Sequence, residues 1–593
     1  MYQVVLTVLL IGAGGCATQA AGPEASVSET RATASVSPTL VPAKKPAWLT
    51  SEKEAALVEA RKILREASQL AQSVAIKNPE SNEGKFLDRN KKFVLRDIAA
   101  AQARAGDIDG AIANGWEKSE AVGLAYARAG QPHEALKVVN ARHLRPENLE
   151  VILEALHKSG DGGTALDVIE NVYVPWDRAE ALFLYARFLA KSGDPRANEI
   201  AQRAYALSNT LAKGQPWVYA RLGEFQADTG DSMASRQSFQ KARDAALAGS
   251  DPEQRLKSLL MVARTQSRYM DQPASEKTYG EAIRVTKDFP PIQQESKLGG
   301  IAREQLKIGH RAAAAETVRL ILQVPSGSSP GEQAEGLMRQ ARWHLTLGDQ
   351  EAAKAALQAV APKVRALADG YLTAKLEKGD SHHGSPELGK SNVYYSLARL
   401  AAECGLYEMA QEAVRVITSE QAKANAIRYI ITGSIQKSDR PEVQQVIQAL
   451  VKDATDLIGL LSFPRDLTLL DVAVIQAAAG DVPAAVRTAD RVVDALRDHA
   501  YRDMASILIE RKNWSGAQEI LSRMKAQWML DESSHHTFRT LGKAQAKASG
   551  GKQVIEWAQT QPDAVARANV LLGVAEGLMD KTGIEPLFPA VRP

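Results

Sequence analysis

The chain has 593 residues, of which 45% are hydrophobic and only 5% are aromatic. This length and apolar content predict several domains or one extended repeat array with a buried core. Basic and acidic residues nearly balance, at 73 and 70. The composition therefore gives no support for nucleic-acid binding, which needs a strongly basic face. Alanine and leucine supply much of the apolar content, which favours packed helices over sheets.

The N-terminus carries a short apolar run, residues 4–13, which is followed by two glycines and Cys16. The run is too short to span a bilayer but has the length of a signal-peptide core. Small residues directly before a cysteine resemble the lipobox of bacterial lipoproteins. The resemblance implies that residues 1–15 are a cleaved signal peptide and that Cys16 carries lipid. Ala17 then favours the periplasmic side of the outer membrane. An ordinary cleaved signal and a cytosolic protein with a misread leader are the alternatives.

Residues 16–50 are rich in alanine, serine, threonine and proline. A segment of this composition cannot bury enough apolar surface to offset its ordering entropy, so it is expected to be a flexible tether. The first helix is predicted from Ser51, because Ser51 and Glu54 form a capping box ahead of an apolar stripe. That stripe includes Leu57, Ile63 and Leu64.

From residue 51 onward one phrase recurs: an apolar helix, a Gly-Asp-like turn, and a second helix with an early alanine. A glycine in the left-handed conformation ends a helix, and the following aspartate caps the next one. The turns are predicted about 37 residues apart on average, at Gly106, Gly130, Gly160, Gly193, Gly230, Met270, Gly309, Gly348, Gly405, Ser438, Gly480, Lys512 and Gly550.

The recurring unit resembles the tetratricopeptide repeat. In the unit around Gly130 the matching positions are Gly123, Tyr126, Ala135 and Val139. The resemblance implies an all-α superhelical solenoid of antiparallel helix pairs, wound into a curved rod. It also implies a concave groove, lined by the first helix of each pair, that takes peptides or helices of partner proteins. The helical repeats are predicted at 51–370 and 392–580, with a polar loop at 371–391 and a tail at 581–593.

One motif in the polar loop could bind nucleotide. Gly384, Gly389, Lys390 and Ser391 fit the phosphate-loop spacing, which normally follows a buried strand. No strand precedes the motif here, and Pro386 removes an N–H donor, so a flexible loop is the favoured interpretation.

No other pattern predicts catalysis, a cofactor or a metal site. His382–His383 and His535–His536 are interpreted as exposed loop histidines, since neither pair has a third ligand at the usual spacing. Cys404 is interpreted as a small buried residue on a helix.

These patterns together predict a membrane-anchored, envelope-facing scaffold that binds protein or peptide partners and catalyses no reaction. The alternative is a nucleotide-binding or enzymatic module that uses residues Gly384–Ser391. A cytosolic solenoid is the third possibility.

Overall fold

The computed structural model describes residues 51–583, except 77, 117–119, 141–143, 212–214, 270–271, 324–329, 366–385, 435–439, 461–465 and 525–531. Regular structure within these ranges is helical throughout, and no strand occurs in them. All the described helices belong to one compact unit, Ala47–Pro593. The predicted all-α solenoid of antiparallel helix pairs is therefore confirmed.

The helices are numbered here in chain order. The N-terminal half contains α1 (Ser51–Gln72), α2 (Asn82–Arg104), α3 (Ile108–Ala111), α4 (Glu120–Arg128), α5 (Pro132–Val138), α6 (Pro146–Lys158), α7 (Gly162–Glu170), α8 (Pro175–Lys191), α9 (Ala197–Leu211), α10 (Pro216–Asp228), α11 (Ser232–Leu247), α12 (Pro252–Arg268), α13 (Gln272–Val285) and α14 (Pro291–Lys307). The C-terminal half contains α15 (Arg311–Leu322), α16 (Pro330–Leu347), α17 (Gln350–Arg365), α18 (Pro386–Glu403), α19 (Tyr407–Val416), α20 (Glu420–Ser434), α21 (Pro441–Leu460), α22 (Asp466–Ala479), α23 (Val482–Ala489), α24 (Asp494–Glu510), α25 (Trp514–Ser522), α26 (Glu532–Ser549), α27 (Lys552–Thr560) and α28 (Ala564–Lys581).

The turns between paired helices follow the predicted chemistry. At the α10–α11 turn Gly230 has φ +83°, and the Asp231 N–H donates to the carbonyl of Gln226 at 2.8 Å. The Asp231 carboxylate then accepts from the Ala234 N–H at 3.0 Å and caps α11. The backbone bond from the Asp231 N–H to the Gln226 carbonyl is the six-to-one bond that closes a helix on a left-handed residue. The predicted turns with a left-handed residue are Gly106, Gly130, Gly160, Gly193, Gly230, Gly309, Gly348, Gly405, Gly480, Lys512 and Gly550. Met270 and Ser438 lie outside the described residues.

A buried polar bond fixes the register within several of these pairs. A glutamine near the end of the first helix accepts from a serine or threonine hydroxyl twelve residues later. The hydroxyl is buried in every one of these bonds, and each glutamine except Gln226 is buried as well. A slip of the second helix would therefore leave an unsatisfied amide oxygen, which is costly. The bonds are Ser238 to Gln226, Thr278 to Gln266 and Thr488 to Gln476, each at 2.7 Å, and Thr317 to Gln305 at 2.8 Å.

The long interval between Gly348 and Gly405 does not interrupt the core. One cluster of buried apolar side chains contains residues of both α17 and α18, and the Tyr394 hydroxyl donates to the carbonyl of Val364 at 3.4 Å. Helix α18 begins at Pro386, within the segment predicted as loop, because proline suits the first turn of a helix. Residues 366–385 of that loop lie outside the described part of the chain.

The two ends of the solenoid contact each other, so the predicted rod closes into a circuit. Helix α1 packs along α28 as a second helix packs along the first helix of an ordinary pair, and α2 also touches α28. Arg104 in α2 forms an ion pair with Asp580 in α28 at 2.8 Å. Helix α1 thus completes the last helix pair, although the two helices stand at opposite ends of the sequence.

Small residues bring α26 and α28 close together beside this contact. A Cβ atom on Gly573 would lie 2.0 Å from the carbonyl oxygen of Arg539, and one on Gly542 would lie 2.3 Å from that of Val570. Helix α28 is buried on nearly all its faces, as expected for a helix covered by neighbours on several sides.

The even-numbered helices form the inner layer of the circuit. Each contacts the even-numbered helices before and after it through most of the circuit, whereas each odd-numbered helix mainly contacts the even-numbered helices beside it. In a curved array the more closely spaced layer lies on the concave side. We therefore call the even-numbered helices the inner helices and the odd-numbered ones the outer helices.

Candidate binding face of the inner helices

Ion pairs link neighbouring inner helices along the chain. The Arg187 guanidinium in α8 donates to Asp228 in α10 at 2.7 Å and to the hydroxyl of Tyr269, the residue directly after α12, at 2.8 Å. It also lies 3.4 Å from Glu224, whose side chain is 1% exposed. Burial raises the pKa of the Tyr269 hydroxyl. Three consecutive inner helices are joined in this way.

A second run of pairs joins α20, α22 and α24. Arg428 in α20 donates to Asp471 in α22 and to Asp503 in α24, each at 2.9 Å. Burial raises the pKa of the Asp471 carboxyl, although its bonds with Arg428 and Gln421 oppose that change. A partly buried carboxylate is costly without such partners, so the pairing lets a charged residue occupy the inner layer.

A third run crosses the contact between the two ends. The Arg539 guanidinium in α26 donates to Glu576 in α28 and to Asp97 in α2, both at 2.8 Å. Asp580 in α28 lies 3.0 Å from Lys543 of α26, in addition to its pair with Arg104. Since positive and negative side chains alternate here, the inner layer carries a mixed charge rather than a basic track.

A cavity opens on the inner layer beside this third run. Its volume is about 640 Å³, and its walls come from α2, α24, α26 and α28. The lining is polar and charged apart from Phe93 and Val94, and its other members include Asn90, Asp97, Arg502, Ser506, His535, Arg539 and Asn569. The guanidinium of Arg96 lies 4.8 Å from the centre of the Phe93 ring, within range of a cation–π interaction. The cavity presents donors, acceptors and one aromatic face together.

The residues predicted to carry chemistry fall in different places. Cys16 and Gly384 lie outside the described residues. Gly389, Lys390 and Ser391 lie in α18, and Ser391 is buried. Nucleotide binding there stays a prediction. Binding of labelled ATP to the wild type, together with its loss in Lys390→Ala, would support it. Cys404 is buried on its helix side of the turn, as expected.

Of the two histidine pairs, the one in the described residues differs from expectation. His535 and His536 lie in helix α26 rather than in a loop, and His535 is buried against the cavity while His536 is exposed. His382–His383 lies outside the described residues. The described residues include no group of three or more His, Cys, Asp or Glu side chains placed to hold a metal ion. In the same ranges no helix is long and apolar enough to cross a membrane.

The cavity could not be predicted from the sequence, because it depends on the contact between α2 and α28. One signal was present in the sequence of α28, VLLGVAEGLM after Asn569, where apolar residues occupy almost every face. A helix with no polar face is covered on several sides. The last helix of an open solenoid would expose one side, so this pattern could have indicated a further covering helix.

Comparisons with known proteins give no family. No protein-family model matches the chain, and no curated protein sequence matches it. Among solved structures the chain is similar to Ton1535 from Thermococcus onnurineus, with 13% identity over 65% of this chain and 97% of that one and a TM-score of 0.26. Yeast Tom70 gives 11% identity over 80% and 98% of the two chains and a TM-score of 0.24. The maize pentatricopeptide repeat protein PPR10 gives 13% identity over 90% and 87% and a TM-score of 0.20.

Proposed function

We propose that this protein is a scaffold in the cell envelope, anchored through lipid on Cys16, whose inner helices bind an extended segment of a partner protein. The observation that carries the binding proposal is the cavity walled by α2, α24, α26 and α28. It joins an aromatic face, two arginines and amide side chains over four helices. A polypeptide segment offers backbone donors and acceptors together with charged side chains, so it suits such a lining.

The charge pattern supports a protein segment over a phosphate-rich ligand. Arg539 already bonds to Glu576 and Asp97, and Arg502 donates to Asp503 at 3.0 Å. Guanidinium groups that are satisfied by carboxylates add little net positive potential. A partner with mixed charges fits this surface, because it meets both signs along the inner layer.

Site-specific photocrosslinking in the native host tests the binding proposal. A photoreactive residue at Ser506, on the cavity wall, is expected to capture one major partner that mass spectrometry identifies. The matched control is Glu316, which is exposed on outer helix α15, whereas the cavity walls come from α2, α24, α26 and α28. The same products from both positions, or none from Ser506, would contradict the proposal.

The two cysteines of the chain provide a direct test of the anchor. Labelled palmitate is expected to enter the wild type and the Cys404→Ala variant but not the Cys16→Ala variant. Globomycin should block processing of the first two proteins and leave the third unchanged. Labelling of Cys16→Ala, or absence of label from the wild type, would exclude the lipid anchor without bearing on the cavity.

A further inference from the structure

The contact between the two ends has properties of an interface between separate molecules. We use the term junction for the packing of α1 and α2 against α28 and α26. No turn links α1 to α28, so side chains alone hold this pair together. On the α1 side, Leu57, Ala60, Leu64 and Ala67 are all at most 7% exposed, and they belong to one core cluster with residues of α28.

Helix α1 is attached to its own end of the chain as well as to α28. The Arg61 side chain donates to the carbonyl of Ala105 at 2.7 Å, and Arg65 lies 3.0 Å from Asp107. The Ser68 hydroxyl donates to the Asn114 side chain at 2.7 Å. These bonds hold α1 against the first helix pair. If the junction opened, α1 and α2 would therefore leave α28 as one block.

The two faces of the junction are complementary in charge and differ from each other. The N-terminal face supplies Asp97 and Arg104, and the C-terminal face supplies Arg539 and Asp580 in the matching order. The faces are also complementary in packing, since the apolar stripe of α1 covers α28. In this register the charges match when the N-terminal face of one copy meets the C-terminal face of another, which is a head-to-tail contact.

We propose that the junction is also an interface for a second copy of this chain, in which α1 and α2 of one molecule pack on α28 and α26 of the other. The contacts are the same within one chain and between two chains. The choice is therefore set by the protein concentration relative to the effective concentration at which the intervening helices hold the two ends. A head-to-tail contact between two copies closes when both junctions form, and otherwise it continues as a chain. This proposal does not depend on the binding of a partner to the cavity.

Charge reversal on one face at a time tests the proposal. The N-variant carries Asp97→Arg and Arg104→Asp, and the C-variant carries Arg539→Asp and Asp580→Arg. Each variant alone sets like charges against each other, both within a chain and between its own copies. In an equal mixture both junctions between one N-variant and one C-variant are matched, since each variant keeps one native face and gains one reversed face.

We expect each variant alone to run as a monomer and the equal mixture to form a dimer with twice the monomer mass by light scattering. The chain with all four substitutions is the matched control, and it should return to a closed monomer. A mixture that stays monomeric, with both variants folded by circular dichroism, would overturn the proposal. Dimers in either variant alone at the same level as in the mixture would also overturn it.

The C-variant sets Arg539→Asp beside Glu576 and Asp580→Arg beside Lys543, so its folding needs a separate check. If the C-variant does not fold, a second experiment with the wild-type chain tests the same proposal. Wild-type protein refolded from denaturant at high protein concentration should give dimers that persist after dilution, whereas refolding at high dilution should give monomers. Monomers alone at every concentration would overturn the proposal.

Discussion

The pair α10–α11 and the pair α28–α1 have the same packing but are held together differently. In the first pair, Gly230 reverses the chain and the Ser238 hydroxyl bonds to Gln226 within twelve residues. In the second pair, α28 and α1 stand at opposite ends of the described chain, and ion pairs such as Arg104 with Asp580 lie beside them. The comparison shows that a helix pair of this kind can form without a local turn, through contacts between side chains. The junction should therefore form late in folding, because contacts distant in sequence cost more loop entropy.

The largest effect is expected from core truncation on each side of this comparison. Leu64 in α1 and Phe239 in α11 are at most 1% exposed. Leu64→Ala and Phe239→Ala should each lower the free energy of unfolding by ~2–5 kcal/mol, measured by urea unfolding. Val58 is 59% exposed on the same helix as Leu64, so Val58→Ala is the control and should change stability little. If Leu64→Ala changed the free energy of unfolding as little as Val58→Ala, the packing of α1 on α28 would contribute less to stability than the packing of α11 on α10.

The next largest effect on stability is expected from replacing a glycine at which two helices come close together. A Cβ on Gly573 would meet the backbone of Arg539 and Lys543, whereas Gly280 in α13 has no atom within 4 Å of that position. Gly573→Ala should cost ~1–3 kcal/mol or more through overpacking. Gly280→Ala should instead raise stability by ~0.5–1 kcal/mol, since alanine suits a helix interior better. Thermal unfolding followed by circular dichroism measures both, and equal shifts would show that α26 and α28 are not in close contact.

Substitutions at the turns between paired helices are expected to lower stability at one turn and to raise it at another. Gly230 has φ +83°, and no atom lies within 4 Å of the place that a Cβ would occupy, so Gly230→Ala should cost ~1–2 kcal/mol from backbone conformation alone. Lys512 adopts φ +59° at the equivalent turn without being glycine. Lys512→Gly should therefore raise the free energy of unfolding by up to ~1 kcal/mol. Urea unfolding of both variants tests the pair, and a loss of stability in Lys512→Gly would argue against the left-handed turn.

The smallest expected effect on stability comes from protonation of carboxyl groups at low pH. Bonds with the side chain and N–H of Arg196 lower the pKa of Asp194 from 3.8 to about 2. Burial raises the pKa of Asp580, but bonds with Arg104 and Lys543 outweigh burial and leave it below 3.8. A carboxyl with a lowered pKa in the folded state stabilises the protein above its unfolded pKa, and this contribution is lost as the pH falls through the folded value.

Stability measured from pH 6 to pH 2 should therefore fall less steeply in Asp194→Asn, at an ordinary turn, and in Asp580→Asn, at the junction, than in the wild type. Each variant should be less stable than the wild type near pH 6, and the difference should shrink below about pH 4. Parallel curves for wild type and Asp580→Asn would show that the ion pairs of the junction do not contribute.

Local chemistry made most of the fold predictable. A glycine followed by a capping residue marks a turn whatever surrounds it, so the turns at Gly106 and Gly480 were found from the sequence alone. The bond between Thr317 and Gln305 repeats at a fixed spacing and could also have been found. The predicted loop at 371–391 extends too far, because Pro386 is the first residue of helix α18 rather than a loop residue.

The cavity was less predictable, because its walls meet only after the ends of the chain come together. Arg539 and Asp97 are 442 residues apart, and neither sequence context indicates the other. His535 was expected on an exposed loop because its neighbours are polar, yet the approach of α2 and α24 buries it. Pairing between distant surfaces depends on the sum of many small packing terms, which no short motif encodes.

The junction also limits how this protein can evolve. An open repeat protein can gain or lose a repeat by duplication or deletion, because each repeat touches only its neighbours and the terminal repeats act as caps. Here α1 and α28 cap each other, so one added or missing pair would change the distance and angle between the two ends. The number of repeats is thus fixed by the geometry of closure, and tolerated length changes should be confined to the loops between helices.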